Sequence, residues 1–203
     1  MPTADTRALI LDAARTCVLD EGYASLSTRK VAELAGVPLS QIHYHFGSKD
    51  NLVLALLDHE DASRLDRQAA LYAGDEPLSE QWARACDYLD DDLGSGYVRI
   101  LQEMFAAGYS QPALAARLDA MMNRWIVVLT DAFAHHMDRG LDLGPLTPAQ
   151  LASLAGNVFL GAEQSILIGH EHDAHPAREA LRAVGGLIAA AERRAGLLPA
   201  PTD

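Results

Sequence analysis

From Thr28 to Lys49 the chain collects side chains that exchange hydrogen bonds and carries almost no negative charge. Ser40, Gln41, His43, Tyr44 and His45 fall within six positions, Arg29, Lys30 and Lys49 flank them, and Glu33 is the one acid between Gly22 and Lys49. The chemistry open to such a set is non-covalent recognition of phosphates and flat heterocyclic edges. The Gln41 amide presents a donor and an acceptor that match adenine N6 and N7, Ser40 is a less selective partner, and Leu39 suits a thymine methyl. Lys49 opens a helix, so its cation lies beside free backbone amides that favour a phosphate.

A second cluster invites a metal reading. "GHEHDAH" places His170, His172 and His175 with Glu171 and Asp173 in one short stretch. In a helix only His172 and His175 share a face, and the HExxH spacing of a zinc hydrolase is absent. The segment reads as a surface connection between two helices, with a metal-dependent hydrolase built on these histidines as the rival from another class. That rival lacks a paired base and an oxyanion donor, so the chain is expected not to be an enzyme and to need no cofactor. His135 and His136, near a helix C-terminus, read as partners of the helix dipole. The acidic run "YLDDDLG" reads as a solvated helix end.

The elements that position these residues are helices throughout. Ala, Leu, Arg and Glu recur at 3.6-residue spacing, no stretch alternates as a strand would, and the chain is expected to be all-α. Helices are expected over Thr6–Asp20, from a Ser27 cap to Gly36, over Leu39–Phe46, and from Lys49 behind a Ser48 cap. Longer ones follow over Leu78–Leu93, Gly96–Ala107, Pro112–Arg139, Pro148–Gly169 and Pro176–Ala195, and the tail "LLPAPTD" is expected to fray. The pair around Gly36 forms a helix-turn-helix pattern. Val31 and Ala32 are expected to face the second helix, Gly36 to take the left-handed turn, Val37 and Ile42 to fill the wedge, and Phe46 to pack in the small domain's core.

The stretch "TRALILDAARTCVLDEGYASLSTRKVAELAGVPLSQIHYHFGSKDNL" resembles the DNA-binding domain of the TetR family of bacterial repressors, with "ILDAA", "EGY", "TRKVAELAGV", "YHF" and "SK" in one order at fixed intervals. The resemblance covers about Arg7 to Leu57. It implies that Thr28 and Arg29 approach the DNA backbone or a base edge, and that His43, Tyr44, His45 and Lys49 approach phosphates. Three positions depart from the family pattern: Pro38 stands where a capping serine is usual, Ser40 stands where a Gly or Pro is common, and His43 replaces the first aromatic of "LYYHF".

The resemblance also implies two domains, an N-terminal three-helix DNA-binding domain over residues 1–48 and a larger helical ligand-binding and dimerisation domain over 49–203, bridged by the Lys49 helix. A double-stranded, near-palindromic operator, a small-molecule effector and a homodimer are the implied partners. A repressor released by its effector is the function they imply, and a helical module without DNA binding is the remaining alternative. A formal net charge of −12 does not oppose this, because the donors are local and the acidic body can point away from DNA. Tyr97, Met104, Phe105, Met121, Trp125, Phe159 and Glu163 are candidates for the effector pocket, being aromatic, methionine and polar residues spread over successive helices. On the last two helices, Leu151, Ala155, Val158 and Ala162, and Ala177, Leu181, Val184, Ile188 and Ala191, are expected to meet their symmetry mates. Cys17 and Cys86, in no CxxC arrangement, read as buried free thiols. No leader or membrane span is indicated, so a cytoplasmic protein is expected.

Overall fold

The computed structural model describes residues 4–199, and the end of the "LLPAPTD" tail, from Ala200 on, lies outside them. The helices are α1 (Ala4–Glu21), α2 (Thr28–Leu34), α3 (Leu39–Phe46), α4 (Lys49–Tyr72), α5 (Leu78–Ser95), α6 (Tyr97–Gly108), α7 (Pro112–Asp138), α8 (Pro148–Leu167) and α9 (Ala177–Arg194). A single 3-10 turn, Tyr23–Ser25, joins α1 to α2. Among the described residues there is no strand, only an isolated bridge between His172 and His175.

The chain forms two compact units, one of residues 1–64 with 96–121, the other of 65–95 with 122–203. Division by packing therefore differs from the division by role at 1–48 and 49–203: α6 and the start of α7 are built into the same unit as the N-terminal helices. The reason is visible in that unit's core. Ile10, Ala14 and Val18 of α1, Leu52 and Leu56 of α4, and Ile100 and Met104 of α6 are at most 1% exposed. Arg15 and Arg64 both ion-pair with the buried Glu60, and the Arg64 guanidinium lies 4.0 Å above the Tyr97 ring. Glu60 is thus a buried acid with two cationic partners, the condition under which a charge is tolerated inside a protein.

The second unit is organised around Trp82 of α5. Its indole N–H donates to the Leu181 carbonyl of α9 at 2.7 Å. Gly185, one turn on, lets the helices approach: a Cβ there would stand 3.3 Å from Trp82 Cδ1. Glu192, 1% exposed, accepts from the backbone N–H and hydroxyl of Ser79, so α9 supplies the cap for the first turn of α5. His136 overturns its expected role. It is buried, its Nε2 lies 3.0 Å from Gln81 Oε1, and the Gln81 amide N–H groups donate to the carbonyls of Leu71 and Gly74. Burial first, then the neighbouring His135, hold its pKa below 6.5, so it is a neutral core group and no dipole-matching cation.

The acidic run is also less free than its composition suggests. Asp90 pairs with Arg178 and Arg182, and Asp92 with Arg67, while Leu89 is buried. Both cysteines are buried free thiols as expected, and burial pushes Cys86 up to about 11, which keeps it protonated.

Candidate nucleic-acid interface

The two short helices are set by local chemistry. Ser27 Oγ accepts from the Lys30 amide and opens α2. Gly36 takes φ +65°, and the amides of Gly36 and Val37 return to the carbonyls of Glu33 and Ala32, which closes α2 in a turn only a left-handed residue permits. Pro38 then begins α3 with no side-chain cap, its carbonyl accepting from the Gln41 amide. Val31, Ala32, Ile42 and Phe46 are buried, so the wedge between α2 and α3 is filled as the pattern requires, and Val37 is half-buried beside it. Ser48 Oγ accepts from the Asn51 amide and starts α4, leaving Lys49 in its first turn.

What α3 offers to a partner follows from this packing. Leu39, Ser40, His43 and Tyr44 are exposed, Tyr44 by 70%, and α3 contains no acidic residue. Arg29 is exposed on α2 and Thr28 is half-buried. His43 is oriented by its own helix end: Nδ1 lies 3.1 Å from the Gly47 carbonyl, so Nδ1 carries a proton and Nε2 faces outward.

Two expected contact residues sit differently. Gln41 is half-buried, and its side-chain carbonyl oxygen is shielded with no hydrogen-bond partner. His45 packs edge-on against Tyr44, ring centroids 5.1 Å apart, with Nε2 likewise shielded and unpartnered. Sequence spacing puts both on α3 but says nothing of how far each is covered. Lys49 is half-buried too, its ammonium 5.0 Å from the centre of the Tyr23 ring, and Lys30 is taken up by an ion pair with Glu21.

The seven pocket candidates divide between the units. Tyr97, Met104, Phe105 and Met121 belong to the first, where all but the half-buried Phe105 are core; Trp125, Phe159 and Glu163 are half-buried in the second, Phe159 edge-on to Trp82. None of the seven lines the cavity of roughly 530 Å³ in the second unit, whose walls include Trp82, Phe133, Leu154, Val158, Leu187 and Arg194. The expected pairing faces need a correction as well. Ala155, Ala162, Ala177, Leu181, Ile188 and Ala191 are buried within the unit itself, whereas Val158 of the expected set is exposed, as are Leu154, Leu167 and Leu187. The cause is α5, which packs along α9 and takes the face that the sequence alone assigned to a second copy.

The three histidines of the α8–α9 connection gather with ring centroids 4.7–6.4 Å apart. Among the described residues no group of His, Cys, Asp and Glu is arranged to hold a metal ion. His172 Nδ1 accepts from the Ala174 amide, and Glu171 pairs with Arg178, which ties the connection to α9.

Residues 10–56, from within α1 through the first turns of α4, match the family model of bacterial regulatory proteins, tetR family. The HTH-type transcriptional repressor AcnR of Corynebacterium diphtheriae is 30% identical over 147 residues, 66% of this chain and 65% of that protein, so the chain spans just under two thirds of its length. The HTH-type transcriptional regulator UidR of Escherichia coli K12 is 25% identical over 197 residues, covering 91% of this chain and 94% of that one. A transcriptional regulator of Saccharomonospora viridis, solved in complex with choline, shares the fold with a TM-score of 0.76 at 18% identity, over 91% of this chain and 95% of that one. The capped α2–Gly36–α3 unit and the family match agree, so residues 10–56 form a helix-turn-helix domain of the tetR family of bacterial regulatory proteins, and the helical fold of the described residues is similar to that of these relatives.

Proposed function

We propose that the protein is a sequence-specific DNA-binding transcriptional regulator, a homodimeric repressor that a small-molecule effector releases from its operator. The observation that carries this reading is the exposed face of α3, where Leu39, Ser40, His43 and Tyr44 stand clear of the core on an acid-free helix. In the major groove Leu39 and Ser40 of that face meet base edges, while Thr28, Arg29, His43, Tyr44, His45 and Lys49 serve phosphates. Gln41 remains a base-reading candidate through its amide N–H groups, and its shielded carbonyl makes Ser40 the more direct reader.

Two recognition helices read a near-palindromic site when held about 34–36 Å apart by a twofold dimer. Leu154 and Val158 of α8 and Leu187 of α9, exposed by 52, 46 and 72%, supply the apolar surface for that dimer. The 530 Å³ cavity shares these walls, so we attribute it to the covered dimer face. The effector candidates are then Phe105, half-buried in the first unit where Tyr97, Met104 and Met121 are core, and Trp125, Phe159 and Glu163, half-buried in the second. A small organic effector is in keeping with the choline complex of the Saccharomonospora viridis regulator. Such a protein works in the cytoplasm, and among its described residues no helix is long and apolar enough to cross a membrane.

The test is a titration of labelled DNA flanking the protein's own gene across a salt series. A retarded fragment whose affinity exceeds that for random duplex supports the reading; equal affinity for both, or none, removes it.

A further inference from the structure

Tyr23 lies at the centre of a set of contacts that the helix-turn-helix pattern does not require. Gly22, at φ +80°, passes so close to α6 that a Cβ would stand 3.3 Å from Glu103 Oε1. The next residue, Tyr23, donates its backbone N–H to Glu103 Oε2 at 3.1 Å. Its hydroxyl donates to Gln111 Oε1, in the turn between α6 and α7, at 2.8 Å. Its ring is 8% exposed and carries the Lys49 ammonium 5.0 Å from its centre. One aromatic side chain is therefore fixed at its backbone by α6, fixed at its hydroxyl by the α6–α7 turn, and used on its face by the first residue of α4.

We propose that Tyr23 is a positioning residue for DNA binding: it is a platform that holds the Lys49 ammonium at the start of α4, and Glu103 and Gln111 hold the platform. This rests on the reading of Lys49 as a phosphate contact. A lysine side chain free in water samples many rotamers, and each lost rotamer on binding is a cost, so a cation resting on an aromatic face is partly ordered before DNA arrives. The arrangement couples the position of α6 to a DNA contact through two hydrogen bonds. A shift of α6 that separates Glu103 or Gln111 from Tyr23 loosens the ring and with it the lysine.

The chain holds only two lysines, Lys30 and Lys49, which makes the platform directly observable. Reductive methylation with carbon-13 keeps the charge and gives two lysine side-chain NMR signals. The Lys49 methyls should be shifted upfield by the Tyr23 ring, lose part of that shift in Tyr23→Phe, which lacks the hydroxyl held by Gln111, and return to the free position in Tyr23→Leu. Glu103→Ala should lose at least half the shift, and Glu103→Gln, which still accepts from the Tyr23 amide, should restore it. On DNA, Tyr23→Leu should lower the salt slope by about one, and adding Lys49→Ala should lower it no further. A Lys49 signal at the free position in the wild type, or a full Lys49→Ala effect in the Tyr23→Leu background, overturns the proposal. Glu103→Ala that changes thermal stability while leaving the lysine shift and salt slope intact overturns the part played by α6. A ring-shifted Lys49 in a wild type that binds no DNA sinks the functional reading instead and reduces the contact to packing.

Discussion

At the scale of single residues, the same type of side chain serves opposite ends according to what covers it. His43 is exposed, with Nδ1 tied to the Gly47 carbonyl and Nε2 turned outward, whereas His136 is 4% exposed and locked onto Gln81. The pKa of His136 is held below 6.5 by burial, so below pH 6.5 the unfolded chain binds a proton that the folded chain refuses. Stability from this group is complete above pH 6.5 and declines as pH falls through that value towards the folded pKa. Thermal unfolding followed from pH 7.5 to 5 should show that decline in the wild type and a smaller one in His136→Gln; identical profiles would remove His136 as its source. Lys49 is the second residue-scale case. Lys49→Ala should weaken binding to operator and random duplex alike and lower the salt slope by about one, because a phosphate contact carries no sequence information. A loss confined to one operator base pair would show that the lysine does something else.

Helices are where the sequence was most legible, and the reason lies in their caps and breakers. Leu39–Phe46 and the start at Lys49 coincide with expectation because Gly36, Pro38, Gly47 and Ser48 act locally, within one turn. Pro112 and Pro148 open α7 and α8 as first-turn prolines, while Pro176 stands one step outside α9. The 3-10 turn at Tyr23–Ser25 was not legible, since three residues carry no periodicity. The contacts that decide roles lay equally out of reach: Trp82 with Leu181, Glu192 with Ser79 and Tyr23 with Glu103 join positions 80 or more residues apart. Gly185 shows the consequence for one helix pair. Nothing in its own helix demands glycine, yet it faces Trp82 at a distance that leaves no room beyond a Cβ. Gly185→Leu should therefore destabilise the second unit by about 1–3 kcal/mol through overpacking, with Gly186→Leu, where nothing lies within 4 Å, as the control. Chemical denaturation of both variants checks this, and equal stabilities would show that α5 and α9 are not packed that closely.

For the whole molecule, the acidic balance and the DNA-binding reading are compatible only if binding is collective. With a net charge of −12 the acidic body adds no attraction to a polyanion, and the local cations near α3 are few, so non-specific affinity is modest. One half-site should then be held weakly, and useful affinity must come from engaging two at once, where the second contact is made at the effective concentration set by the dimer. Disrupting the dimer should therefore cost far more than any single DNA contact. Val184, one of the residues expected to meet a symmetry mate, is half-buried beside the cavity, so a charge there would disturb folding as well as pairing. Leu187 is the cleaner choice, 72% exposed on α9 and free to carry a carboxylate in the folded monomer. Leu187→Glu should leave the helical content and unfolding temperature close to wild type at low protein concentration, where both are monomeric. In sedimentation it should stay monomeric at concentrations where the wild type is dimeric, and its operator affinity should fall at least a hundredfold, towards that of a half-site. A Leu187→Glu protein that still sediments as a dimer would move the interface off α9, and a monomeric one that binds the full operator undiminished would show that the two half-sites are not read together.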